Sequence, residues 1–147
     1  MNQSERRRYL IQELLDEQNE YSHFSIPEDS RGQKDLLRGL LNVRAPKMLS
    51  REFLKIQNEY LKEETEKKGI TELADLTPVE QGIYLWQGDI TTLRCDAIVN
   101  AANSGMTGCY APNHKCIDNC IHTFAGAQLR YECAQMMKAQ GHEEPTG

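Results

Sequence analysis

The stretch Gly88-Asp-Ile-Thr-Thr-Leu-Arg-Cys-Asp-Ala-Ile-Val-Asn-Ala-Ala-Asn103, followed by Cys109-Tyr-Ala-Pro-Asn-His114-Lys-Cys116, decides the fold. Residues 97–102 form a near-continuous apolar run, the pattern of a strand buried on both faces. Upstream, residues 83–87 (Ile-Tyr-Leu-Trp-Gln) are rich in strand formers and run into Gly88-Asp89. Asp89 and Asn103 therefore fall at or just past the ends of two expected strands. Ligands of open α/β sheets bind outside the carboxyl ends of strands. Taken singly, Asp89 also reads as a turn cap, and Asn100 or Asn103 as a turn start, because Asp and Asn favour both.

Beyond the second strand, Gly105, Gly108 and Pro112 punctuate a loop. It carries Cys109, His114 and Cys116, soft and borderline ligands suited to zinc. The C-x4-H-x-C spacing offers three ligands, which leaves a fourth position for water or substrate, as catalytic zinc is usually held. Cys120 is a candidate fourth ligand, but it lies on an apolar helix face with Ile117, Ile121 and Phe124. A competing reading is a set of small, buried, unligated thiols.

A helix is expected over 118–140, because Ile117, Ile121, Ala125, Leu129, Cys133, Met136 and Met137 repeat at helical spacing. Asp118 suits its first turn. Free N–H groups there, directly after Cys116, can hold an anion such as a diphosphate. Cys120 and Cys133 read as core thiols and His122 as a structural residue. Residues 141–147 read as a polar loop.

Residues 1–80 read as a helical extension. Ser4 caps a helix to residue 20, with Tyr9, Leu10, Leu14 and Leu15 on one face. A second helix is expected over 33–44 and ends at Ala45-Pro46. A third starts after Ser50 and stops at Gly69. None of the three carries recognisable chemistry.

With 39% hydrophobic and 27% charged residues, most of the 147-residue chain should fold. A net charge of −5 argues against a general nucleic-acid-binding surface. No apolar run is long enough to span a membrane. Five cysteines clustered late in the chain fit a reducing compartment, metal binding or plain thiols better than a disulfide framework. The expected setting is cytoplasmic, with no signal-peptide pattern at residue 1.

With these residues laid out, the chain resembles the macrodomains, and more narrowly the zinc-containing bacterial macrodomains that hydrolyse protein-linked ADP-ribose. The matching segments are Gly88-Asp89-Ile90-Thr91, residues 96–103 (Asp-Ala-Ile-Val-Asn-Ala-Ala-Asn) and the run from Cys109 to Asn119. The resemblance implies an α/β/α sandwich on a mixed, largely parallel sheet. It covers a helical extension (1–80) and the first half of a macrodomain (81–147). The later strands and glycine-rich phosphate loop of that family do not follow in this sequence, so a fragment is expected.

By the same resemblance, Asp89 would accept from the adenine amino group, with the Ile90 backbone nearby. The backbone of Ile117, Asp118 and Asn119 would line the diphosphate path, with Cys116 beside it. Asn103 would orient the distal ribose, and Cys109, His114 and Cys116 would hold zinc next to it as the catalytic centre. The implied function is a zinc-dependent hydrolase that removes mono-ADP-ribose from modified proteins. The implied partners are ADP-ribose, a mono-ADP-ribosylated protein such as a lipoyl carrier protein, and a sirtuin-type ADP-ribosyltransferase. The alternatives are an ADP-ribose reader or inactive fragment, and a small domain whose zinc is purely structural.

Overall fold

A computed structural model describes residues 1–21 and 23–145, without the Asn19 side chain. The last two residues of the expected 141–147 loop therefore lie outside the described residues.

Three helices open the chain. α1 spans Gln3–Asp16 and starts at Asn2, whose side chain accepts from the Glu5 N–H while the Glu5 carboxylate accepts from the Asn2 N–H. This capping box starts the helix two residues before the expected Ser4 cap. α2 spans Ser30–Val43 and begins earlier than expected, because Asp29 caps it through the Gly32 N–H. α3 spans Arg51–Lys68, with Ser50 accepting from the Phe53 N–H and Gly69 ending it at φ +90°. Both of its expected ends are met.

The core is helical. Leu10, Ile11, Leu14 and Leu15 of α1 meet Leu37, Leu40 and Leu41 of α2 and Phe53, Ile56, Tyr60 and Leu61 of α3. These positions recur every three to four residues, so each helix presents one apolar stripe to the others.

The strands that follow are short. β1 (Thr71–Glu72) pairs parallel with β4 (Leu93–Arg94), and β2 (Pro78–Glu80) pairs antiparallel with β3 (Ile83–Tyr84). A helical region thus leads into a mixed α/β segment, as the sequence predicts. The long strands do not form among the described residues. The 83–87 run pairs only at its first two residues, and 97–102 has no ladder partner. A doubly buried strand needs backbone neighbours on both edges and packing on both faces. Here Ile98, Asn100 and Ala102 line a groove with Ile121, Leu129 and Cys133, while Val99 is 90% exposed. The run keeps a period-two alternation, but only one side finds a packing partner.

The expected C-terminal helix is two helices. α4 spans Ile117–Ala125 and α5 spans Ala127–Gln140, broken at Gly126 with φ +91°. The break is filled from α3, where the buried Gln57 side chain accepts from the Ala127 N–H at 2.9 Å. α4 packs against α2 and α3, so the helical extension and the loop before α4 share one body of contacts.

Candidate metal centre and ligand face

Cys109, His114 and Cys116 converge. Their ligand atoms all lie within 4.8 Å of one another, and Cys109 Sγ is 3.6 Å from His114 Nδ1. A tetrahedral ion with bonds of about 2.3 Å to sulfur and about 2.0 Å to nitrogen holds those two atoms roughly 3.5 Å apart. The donor set and its spacing fit zinc. The two thiols are half-buried and the imidazole is exposed, so one side of the trio faces solvent. Burial pushes the Cys116 thiol up, with Cys109 and Asp118 adding to it and the Asn119 N–H opposing. A bound cation reverses this, because coordination deprotonates a thiol.

Each ligand is held by the backbone around it. Cys116 is the N-cap of α4, where its sulfur accepts from the Asn119 N–H at 3.4 Å. Asn119, fully buried, donates from Nδ2 to the Ala111 carbonyl and accepts on Oδ1 from Arg38 of α2. Arg38 also donates to the His114 carbonyl at 2.8 Å. Asn42 of α2 accepts from the Asn113 N–H at 2.9 Å, fixing a residue that sits at φ +56°. Arg130 of α5 donates to the Cys109 carbonyl at 3.1 Å and stacks on the Tyr110 ring. Arg38, Asn42 and Arg130 were not legible as site residues. A buried arginine always needs partners, but nothing in the sequence says which. The helical extension is therefore more than an appendage, since it supplies two of these three contacts.

Asn103 lies beside the trio, donating from Nδ2 to the Gly108 carbonyl at 3.2 Å. Asn100 donates to the Asp118 carboxylate at 2.8 Å, and the buried Asp118 also faces His122 Nε2 at 3.6 Å. Burial holds the His122 imidazole below its usual range, against the pull of Asp118. Asn103, Asn100 and His122 line one groove of about 690 Å³. The expected core thiols divide: Cys133 is buried, and the half-buried Cys120 accepts from Arg38.

Asp89 and Ile90 are elsewhere. Asp89 caps a single 3-10 turn, Ile90–Thr92, by accepting from the Thr91 N–H and hydroxyl. Its other oxygen accepts from Lys68 Nζ at 2.9 Å. Burial pulls this carboxyl upward, but the Thr91 and Lys68 contacts outweigh it and hold the group below its usual range. Lys68 Nζ sits 3.1 Å above the Phe124 ring, near the C-terminal end of α4. The metal trio adjoins the N-terminal end of the same helix. At 1.5 Å per residue, Cys116 and Phe124 are separated by about 12 Å along the axis. Asp89 and the trio thus mark the two ends of one helix rather than one cluster. The Ile117 and Asp118 N–H groups between them belong to the free first turn of α4.

No helix among the described residues is long and apolar enough to cross a membrane. Residues 99–147 match the macro domain family model. The whole chain is 60% identical to a protein of Treponema medium named protein-ADP-ribose hydrolase, covering 58% of that protein. It is 44% identical to a protein of the same name from Staphylococcus aureus strain MRSA252, over 95% of this chain and 52% of the relative. A probable bifunctional ADP-ribose hydrolase/ADP-ribosyltransferase of Fusarium oxysporum f. sp. cubense is 43% identical over 76% of this chain, which covers 21% of that protein. The chain spans about half the length of the bacterial relatives it matches.

Proposed function

We propose, for a chain that belongs to the macrodomain family, that it forms the metal-bearing part of a hydrolase removing mono-ADP-ribose from modified proteins. One observation carries this reading: a Cys-His-Cys trio with zinc-like spacing at the start of α4, next to Asn103. The names of the relatives agree with the reaction.

Cys109, His114 and Cys116 are the residues that would hold the metal. Zinc bound there supplies a Lewis acid beside the distal ribose. Asn103 fixes the ribose with its side-chain amide, which already points at the loop through the Gly108 carbonyl. The N–H groups of Ile117 and Asp118 receive the diphosphate, and the Asn119 N–H completes the turn by tying Cys116 in place. Asp89, at the other end of α4, accepts from the adenine amino group through the oxygen it shares with Lys68, with the Ile90 backbone adjacent. We set the border of the helical extension at residue 80, with 81–147 as the first half of the macrodomain. We extend the reading to a cytoplasmic setting, a lipoyl carrier protein as one substrate, and a sirtuin-type transferase that installs the modification.

The test is ADP-ribose release from a mono-ADP-ribosylated protein by the zinc-loaded 147-residue chain. Release should be lost in Asn103→Ala and Cys116→Ala, and a modified lipoyl carrier protein should be turned over faster than an unrelated modified protein. Wild-type release no faster than that of Cys116→Ala would remove the catalytic role.

A second reading is an ADP-ribose-binding module without turnover, which the 97–102 run, unpaired among the described residues beside the Asn103 groove, also fits. Calorimetric binding of ADP-ribose without turnover would support it. Unfolding by a chelator, with no rise in Tm on adding ADP-ribose, would instead point to a structural zinc.

A further inference from the structure

The loop that carries the metal trio has no ladder or helix of its own between Cys95 and Cys116. Something else must fix the directions of its ligand side chains. Two arginines bond the backbone carbonyls of ligand residues. Arg130 is 96% buried. It donates through Nε to the Thr107 carbonyl at 2.7 Å and through Nη2 to the Cys109 carbonyl at 3.1 Å. These two carbonyls flank Gly108, which sits at φ +83°. The remaining nitrogen, Nη1, donates to the carbonyls of Leu41 at 3.2 Å, Asn42 at 2.6 Å and Arg44 at 2.9 Å. Those carbonyls lie at the C-terminal end of α2, where orphan acceptors concentrate negative potential. Among the described residues Arg130 forms no ion pair with a carboxylate. Its planar fork instead fastens the Cys109 backbone to α2.

Arg38 does the matching work on the second ligand. From α2 it donates to the His114 carbonyl at 2.8 Å and to Asn119 Oδ1 at 2.9 Å. The third ligand, Cys116, is already fixed as the α4 cap.

We propose that Arg38 and Arg130 are positioning residues for the metal: a two-arginine clamp fastens the Cys109 and His114 backbones to α2, so the trio is formed before an ion arrives. The inference rests on the metal reading above. Pre-forming the site removes the ordering cost that binding would otherwise carry. Replacing either arginine leaves the ligands in place but frees the backbone that aims them.

The experiment uses the 147-residue chain as wild type, Arg38→Gln, Arg130→Lys and a control, Gln57→Ala. Gln57 is fully buried and caps α5 through the Ala127 N–H, and its side chain bonds Ala127 and Gln128 rather than a residue of the metal loop, so its variant reports general destabilisation. Zinc affinity is measured by competition with a chromophoric chelator, and metal-free stability by thermal unfolding. The absorption of the cobalt(II)-substituted chain reports ligand geometry. Partners outside the ligand set typically change metal affinity about 10–100-fold. Both arginine variants should fall in that range with altered cobalt spectra, while Gln57→Ala keeps wild-type affinity at a lowered Tm. Arg38 is only half-buried, so its variant provides the readout if Arg130→Lys does not fold. Wild-type affinity and spectrum in Arg38→Gln, with zinc bound tightly by the wild type, overturn the clamp and leave the metal reading standing. A wild type that binds no zinc overturns both.

Discussion

Replacing Gly108 by alanine should destabilise the chain far more than the same change at Gly82. Both glycines sit at positive φ, +83° and +76°. A side chain in that region costs about 1–2 kcal/mol. At Gly82 a Cβ would meet no atom within 4 Å, so this backbone cost is the whole effect. At Gly108 the new Cβ would lie 2.7 Å from two ring carbons of His122 and 2.9 Å from its Nδ1. Ordinary carbon contacts lie at about 3.5–4.0 Å. The His122 ring is buried and faces Asp118 at 3.6 Å, so moving away from the new Cβ would disturb that contact. Overpacking of this kind adds about 1–3 kcal/mol. The total for Gly108→Ala is then roughly 2–5 kcal/mol, a large share of the ~5–15 kcal/mol that stabilises a typical domain. At about 2–4 °C per kcal/mol for this size, Tm should drop by roughly 4–20 °C. Urea unfolding followed by circular dichroism measures both variants. Adding His122→Ala should recover part of the Gly108→Ala loss, seen as a coupling energy in a double-mutant cycle. If Gly108→Ala and Gly82→Ala agree within about 0.5 kcal/mol, the close approach of loop and ring does not exist in solution.

Two further outcomes follow from buried groups. Burial, with a smaller push from Glu64, raises the Tyr60 phenol from its ordinary 10.0 to about 12. The fold therefore prefers the neutral phenol. Its contribution is intact below pH 10 and is lost as pH rises from 10 towards 12. The urea midpoint should fall more between pH 9.5 and 11.5 in the wild type than in Tyr60→Phe (~two pH units bracketing the unfolded value); equal slopes would refute the assignment. Gln57→Ala strands the Ala127 N–H at the start of α5 and should cost about 1–3 kcal/mol in urea unfolding. Gln57→Glu should not recover the loss, because it removes the amide that donates to Gln128 Oε1 at 2.6 Å and places a carboxylate at a fully buried position.

The two ends of α3 were readable from single residues. Ser50 and Gly69 bound α3 as expected, because caps depend on chain geometry within one turn. The apolar stripes of α1, α2 and α3 were readable for the same reason. The 97–102 run shows the opposite. Its composition is that of a buried strand, yet a strand exists only through neighbours, and none pairs with it among the described residues. Gly126 was likewise hidden inside one long helical pattern. The break is held from 70 residues away by Gln57.

The sequence by itself determined the chemistry on offer: two thiols and an imidazole within eight residues, just ahead of a helix start. Donor type and close spacing are local properties, and the chain cannot separate residues so near in sequence by much. What only the tertiary structure decided is the aim of those side chains. Arg38 and Asn42 reach the loop from more than 70 residues upstream, and Arg130 reaches it from α5 while gripping carbonyls of α2 more than 85 residues back. Hydrogen bonds of that span arise only when helices pack. Before packing, an arginine carries no sign of which carbonyls it will hold.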